Sequence, residues 1–233
     1  AKGSRPDPPP VGGLSKEHTD LHYAHAFDGS VARIQLALLD PSNEVKSAAA
    51  TLRKFLSGGG LCLTDVPCGA GAGALSLLCS IAELRNSGII PREPLFVRLL
   101  WGEISQFARQ YAEALLGIVV SHLSEQAIFV EADVFEWNVL SDVSNSNLVE
   151  KIILAKSSNP QTLLLISNFN AFLEKENKKK QANPQLMELF KYCSGSMNAA
   201  VWIEPNMNPA RLGLFPWITK QLEKLVRFAK LPA

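Results

Sequence analysis

The chain is poor in the features that mark several large protein classes. It has no apolar run near the roughly 20 residues that a membrane-spanning helix needs; its longest aliphatic stretch is LLGIVV at 115–120. No basic start followed by an apolar core directs it to secretion. Its 4 cysteines, Cys62, Cys68, Cys79 and Cys193, show no CxxC or other metal-ligand spacing. Three of them sit in strongly apolar surroundings, which predicts buried free thiols in a cytoplasmic or other reducing compartment. Net charge is +1, so the molecule as a whole exerts no electrostatic pull on nucleic acid, although a local patch stays open. What is present is a globular balance: 47% hydrophobic and 19% charged residues in a chain of 233, enough for one sizeable core.

Residues 1–13, AKGSRPDPPPVGG, read as a linker or disordered tail. The chain lacks an initiator Met and is expected to be processed, or to be part of a longer polypeptide. Residues 14–60 read as an N-terminal helical cap. Leu21, Ala24, Val31, Ile34 and Leu38 fall near one helical face, with Gly29 a possible interruption and Asp40-Pro41 the stop. Ser42 is the expected cap of a second helix that ends at Ser57-Gly58-Gly59-Gly60.

From residue 61 to 233 the pattern alternates. Short apolar strands are predicted at 61–66, 96–101, 127–131, 162–166 and 199–203. Helical stretches at 73–87, 104–116, 147–156 and 184–193 lie between them. Strand and helix in repeated alternation predict a doubly wound α/β fold with a mostly parallel sheet. The polar run EKENKKKQAN at 174–183 reads as a solvated loop or helix end. The tail PWITKQLEKLVRFAKL reads as a docked helix, apolar through Trp217, Leu222, Leu225 and Phe228 and basic through Lys220, Lys224, Arg227 and Lys230. No sixth or seventh strand is expected.

The stretch LTDVPCGAGAGALSLL at 63–78 carries the chemistry. Gly69, Gly71 and Gly73 leave the first strand at its carboxyl end, where open parallel sheets bind their ligands. The following helix offers unpaired N–H groups and a positive dipole end. No Lys follows the glycines, so the Walker pattern is absent and nucleoside triphosphate hydrolysis is not expected. Gly69, Gly71 and Ala74 formally match the GxGxxG/A fingerprint of NAD(P)-binding proteins. The acid-x-x-x-Gly-x-Gly-x-Gly pattern of Asp65, Gly69, Gly71 and Gly73 resembles the first motif of the class I S-adenosylmethionine-dependent methyltransferases. Pro67 and Cys68 stand where many members of that family have Gly or Ser.

The resemblance extends along the chain and implies a site. Asp65, Pro67, Gly69, Gly71 and Gly73 would hold the amino-acid end of S-adenosyl-L-methionine, and S-adenosyl-L-homocysteine would be the product. Glu103, followed by Ile104, would hold the ribose, and Asp133 with Val134 the adenine. Asn168 and Phe169, after the fourth strand in SNFN, would line the transfer region, Asn168 also reaching the ligand. The implied fold is the Rossmann-like methyltransferase sheet, here without its closing C-terminal hairpin. The methyl acceptor, whether RNA, protein or small molecule, is not indicated. A finer similarity to methyltransferases associated with the small ribosomal subunit rests on Glu204-Pro205 and on a Tyr/Arg-type helix upstream of the glycine loop, here HYAHAFDGSVARIQLALLD, but Asn206-Met207 replaces their usual Gly and their cysteine cluster is missing.

Each position also has a plain structural reading. Asp65 can cap the loop, Glu103 can be an acid near the start of the next helix, Asp133 can be a strand-end turn residue, and Asn168 can cap a turn. A module of this fold that binds partners without catalysis is the alternative function, followed by an NAD(P)-binding protein. The first helix, with His18, His22, Tyr23 and His25, reads as a polar lid over the ligand; His18 and His22 share a face, but no third ligand for a metal is visible.

Overall fold

The computed structural model describes residues 14–204 and the backbone of residues 226–230. The elements run α1 (Lys16–Leu39), α2 (Lys46–Phe55), β1 (Gly59–Asp65), α3 (Ala72–Asn86), β2 (Leu95–Gly102), α4 (Gln106–Glu125), β3 (Ile128–Phe135), α5 (Asp142–Lys156), β4 (Gln161–Ser167), α6 (Asn170–Lys175), α7 (Lys179–Tyr192), β5 (Asn198–Glu204) and β6 (Val226–Lys230). The strands form one sheet in the order β3-β2-β1-β4-β5-β6, and every pairing is parallel. The fold is therefore the doubly wound, Rossmann-like α/β arrangement.

Two cores cover the two faces of the sheet. Because strand side chains alternate, Leu61 and Leu63 of β1 enter one core and Cys62 and Val66 the other. The first core takes side chains from α1, α2, α3 and α4, and the second from α5, α6 and α7. Trp101, Trp137 and Trp202 are among the largest fully buried side chains. Full burial of each such apolar side chain stabilises the fold by roughly 1.5–3 kcal/mol, which is why the strands read as unbroken apolar runs. The four cysteines are free thiols; Cys62, Cys68 and Cys193 are buried and Cys79 is half-buried. Burial pushes the Cys62 thiol up to about 11 and Cys193 to about 12. Among the described residues no helix is long and apolar enough to cross a membrane.

The structure corrects several expectations. Gly29 does not interrupt α1, which runs unbroken to Leu39. Ser42 does not cap α2. Asp40, in the left-handed region at φ 48°, ends α1, and its Oδ1 accepts from the N–H of Glu44 (2.8 Å) and Val45 (3.0 Å), so one acid serves both helix ends. The LLGIVV stretch belongs to α4, which extends to Glu125. Residues 174–183, read as a loop or helix end, are a helix end: they close α6 and open α7, joined by a Lys179–Glu174 ion pair. The docked C-terminal helix is wrong at 226–230, where backbone pairing on β5 makes a sixth, parallel strand. The helical spacing of Leu222, Leu225 and Phe228 in the sequence outweighs the signal of a strand only five residues long. The expectations for residues 1–13, for Trp217, Lys220, Leu222, Lys224 and Leu225, and for Pro205-Asn206-Met207 lie outside the described residues.

Candidate functional site

Residues 66–71, between β1 and α3, form the first turn at the carboxyl edge of the sheet. The Val66–Pro67 peptide is cis, and Pro67 is half-buried. Gly69 (φ 53°) and Gly71 (φ 84°) occupy the left-handed region that favours glycine. A Cβ at Gly69 would meet nothing within 4 Å, so the backbone there is open on its outer side. A Cβ at Gly71 would lie 3.2 Å from the Trp101 ring and 3.3 Å from Ala112, so that glycine serves packing between α3, β2 and α4.

Gly71 is the N-cap of α3 and has no side chain with which to close the helix. Asp65 does so from the strand. Its Oδ2 accepts from the Ala74 N–H at 2.9 Å, and a Cβ on Gly73 would be only 2.7 Å from that oxygen. Asp65 is fully buried. Burial raises its carboxyl to about 7, against the opposing pull of the Ala74 N–H and the Trp101 indole; the nearby Glu103 carboxylate raises it further. Asp65 Oδ1 and Trp101 Nε1 are both buried without a hydrogen-bond partner, so the indole favours the carboxylate as a nearby N–H dipole and not as a bonded donor.

Glu103 follows β2 and faces the same side of the sheet as Asp65, in step with Leu99 and Trp101. Its Oε2 accepts from the Gly69 N–H (3.1 Å) and its Oε1 from the Ser105 N–H (2.9 Å). The side chain thus ties the glycine loop to the head of α4. Burial raises its carboxyl; the N–H groups of Ser105, Gly69 and Ile104 and the Arg109 guanidinium oppose that rise. Arg109 itself donates to the carbonyls of Glu103 and Ile104. Ile104 is 40% exposed beside this edge. Ser105 caps α4, accepting from Ala108, and its hydroxyl meets that of Thr19 on α1 at 3.3 Å.

Asp133 does not join them. It lies within β3, opposite Leu100, two residues before the strand ends. Its side chain points to the other face, in step with Phe129 and Glu131, where Oδ2 takes the Lys151 ammonium at 2.7 Å and Arg98 stands 3.9 Å away. A one-residue difference in where β3 places its acid decides the face, and the sequence reading assumed that the strand ended earlier. Val134 does face the Asp65 side, half-buried against the first core.

The two transfer-region residues are also engaged. Asn168 (φ 54°) accepts from Arg33 Nε at 3.1 Å through Oδ1 and donates to Ser30 Oγ at 3.1 Å through Nδ2. Phe169 is buried in the second core, stacked on Phe172 and tilted against Trp137, and is turned away from the edge. Glu204, at the end of β5, accepts from the N–H groups of Phe169 (2.7 Å) and Asn170 (2.7 Å) and from the Trp202 indole (2.6 Å). Burial raises its carboxyl.

Helix α1 crosses this edge from Ser105 to Asn168, packing along α3. His18, His22 and His25 lie on its exposed side, and among the described residues no group of three or more His, Cys, Asp or Glu is placed to hold a metal ion. Tyr23 is half-buried and stacks on Tyr111 of α4, with ring centroids 5.0 Å apart. Sequence reasoning missed Ser105, Thr19, Arg33 and Arg109. Ser105 carries a legible sign, a serine directly before a helix, and Arg109 reaches carbonyls only five and six residues before it, whereas Thr19 and Arg33 reach Ser105 and Asn168 through tertiary contacts.

No protein-family model matches the chain, and no curated protein matches it. A solved structure of an NADH-dependent reductase, A1-R′, complexed with NAD, resembles it over 75% of this chain and 77% of that one, at 14% identity and a TM-score of 0.34. A likeness of that degree carries no argument about ligand or reaction.

Proposed function

We propose that the chain binds S-adenosyl-L-methionine and is a methyltransferase of the doubly wound class. One observation supports this above the dinucleotide reading: the amino end of α3 is already filled by a carboxylate. In a dinucleotide site that helix end receives the pyrophosphate. Here the Asp65 carboxyl takes the Ala74 N–H, and the second carboxyl, Glu103, takes the Gly69 N–H of the same loop. Two buried acids at one helix end repel a dianion and attract a ligand bearing an ammonium and a sulfonium.

Bound there, S-adenosyl-L-methionine would supply an electrophilic methyl group on a sulfonium sulfur, a good leaving group that needs little acid or base help. The protein's part is to position and to exclude water. Asp65 would fix the loop and face the cationic amino-acid end. Glu103, with lone pairs beyond those taken by Gly69 and Ser105, would accept the ribose hydroxyls. Gly69 leaves its outer side open for that approach. Asp133 has no part in this assignment, and no acid is assigned to the adenine. Asn168 would act only when released from Arg33.

A second reading, a binding module without catalysis, is favoured by the engagement of Asn168 and the burial of Phe169. Calorimetry with S-adenosyl-L-methionine, followed by a screen of RNA, protein and small-molecule acceptors with labelled methyl donor, separates the readings. Micromolar binding lost in Glu103→Gln with label transfer supports the enzyme. Binding without transfer to any acceptor class supports the module, and no binding refutes the S-adenosyl-L-methionine assignment and leaves the module.

A further inference from the structure

Helix α1 is continuous but is held in two different ways on either side of Gly29. On the carboxyl side, Ile34, Ala37 and Leu38 are fully buried in the first core, and Ser30 and Arg33 are tied to Asn168. On the amino side, among residues 16–28, Thr19 alone is buried. That half is fastened to the head of α4 by the Thr19 and Ser105 hydroxyls at 3.3 Å, by the Tyr111 hydroxyl donating to Asp20 at 2.6 Å, and by the Tyr23–Tyr111 stack. Gly29 is exposed, and a Cβ there would meet only the Arg33 guanidinium, at 3.4 Å or beyond. Packing does not require glycine at this position, yet glycine is the weakest helix former after proline. A segment with few buried contacts, joined through a weak helical residue to an anchored one, opens locally at low cost.

We propose that residues 16–28 are a lid, hinged at Gly29 and latched on Ser105 and Tyr111, that opens to admit the ligand to the glycine loop and closes over it. Its role as a gate rests on the cofactor reading above; the division of the helix does not. The latch is joined to the site itself. Ser105, which meets Thr19 through its hydroxyl, gives its backbone N–H to Glu103 Oε1 at 2.9 Å. A ligand that engages Glu103 therefore bears on the residue that holds the lid.

Amide hydrogen exchange on the free protein tests the division. Residues 16–28 are expected to exchange faster than 34–39. Tyr111→Phe, which keeps the ring stack and removes the bond to Asp20, should speed 16–28 about fivefold and leave 34–39 unchanged. Gly29→Ala should slow 16–28 by a similar factor. A Thr19→Cys, Ser105→Cys double variant then tests the gate. Oxidised with diamide it should lose association with S-adenosyl-L-methionine, and dithiothreitol should restore it, with the wild type treated alike as control. Exchange of 16–39 as one unit, or equal association by the oxidised and reduced forms, overturns the lid and leaves the cofactor reading standing. A wild type that binds no S-adenosyl-L-methionine overturns the cofactor reading and the gate together, even where the exchange is divided.

Discussion

Asp65 should make the protein less stable as pH rises through neutrality, contrary to the usual behaviour of a hydrogen-bonded carboxylate. Its ordinary value is 3.8 and burial raises it to about 7 in the folded state. Between those values the folded chain holds a proton that the unfolded chain has released, so stability falls with increasing pH across that window. Below about pH 4 both states are protonated and the loss is absent; above about pH 7 it is complete. The difference corresponds to at most about 4 kcal/mol, at 1.36 kcal/mol per pH unit. Asp65→Asn keeps an acceptor for the Ala74 N–H and removes the titration. Urea unfolding of the wild type and this variant at pH 5 and pH 8 is the assay. A lead of the variant over the wild type of about 1–2 kcal/mol at pH 5, widening to about 4 kcal/mol at pH 8, is expected. Glu103 and Glu204 are raised by burial too, so the variant keeps part of the downward slope. A pH dependence that is the same in both proteins would refute the reasoning, because Asp65 would then not be a desolvated acid in the folded state.

Three further outcomes follow from the geometry. Gly73→Ala places a methyl group 2.7 and 2.9 Å from the Asp65 oxygens and should cost about 1–3 kcal/mol in urea unfolding, a cost that shrinks in an Asp65→Ala background. Asn168 sits at φ 54° and bonds Arg33 and Ser30, so Asn168→Ala should destabilise more than Asn168→Gly, by roughly 1 kcal/mol in thermal or urea unfolding, since glycine alone avoids the backbone strain. Asp133→Asn should leave S-adenosyl-L-methionine affinity unchanged within about twofold by calorimetry, because its partners Lys151 and Arg98 lie on the opposite face of the sheet.

The sheet was legible because its strands are buried on both faces and read as apolar runs between helical stretches. β1, β2, β4 and β5 fall within two residues of their predicted bounds. The glycine loop was legible because positive φ at Gly69 and Gly71 and the Asp65–Gly73 contact restrict residue type locally. Glu103 was legible for a related reason: an acid just past a strand and before a helix-capping serine has few places to go. Asp133 was misread because a period of two leaves the face undetermined until the end of the strand is known. Asn168 and Phe169 were placed in the right turn, but their partners, Arg33 more than a hundred positions upstream and the Trp137–Phe172 aromatic cluster, are set by tertiary packing. The sixth strand was missed because VRFAK continues the helical spacing of Leu222, Leu225 and Phe228, which hides a strand of five residues.

The central claim is that two acids at the head of α3 select a cationic adenosyl ligand over a pyrophosphate. Parallel calorimetric titrations with S-adenosyl-L-methionine and with NADH, each at pH 6 and pH 8, test it most directly. The account predicts binding of S-adenosyl-L-methionine that tightens at the higher pH as Asp65 ionises, with no heat from NADH at either. Tighter binding of NADH, or S-adenosyl-L-methionine binding that weakens as the pH rises, would contradict it.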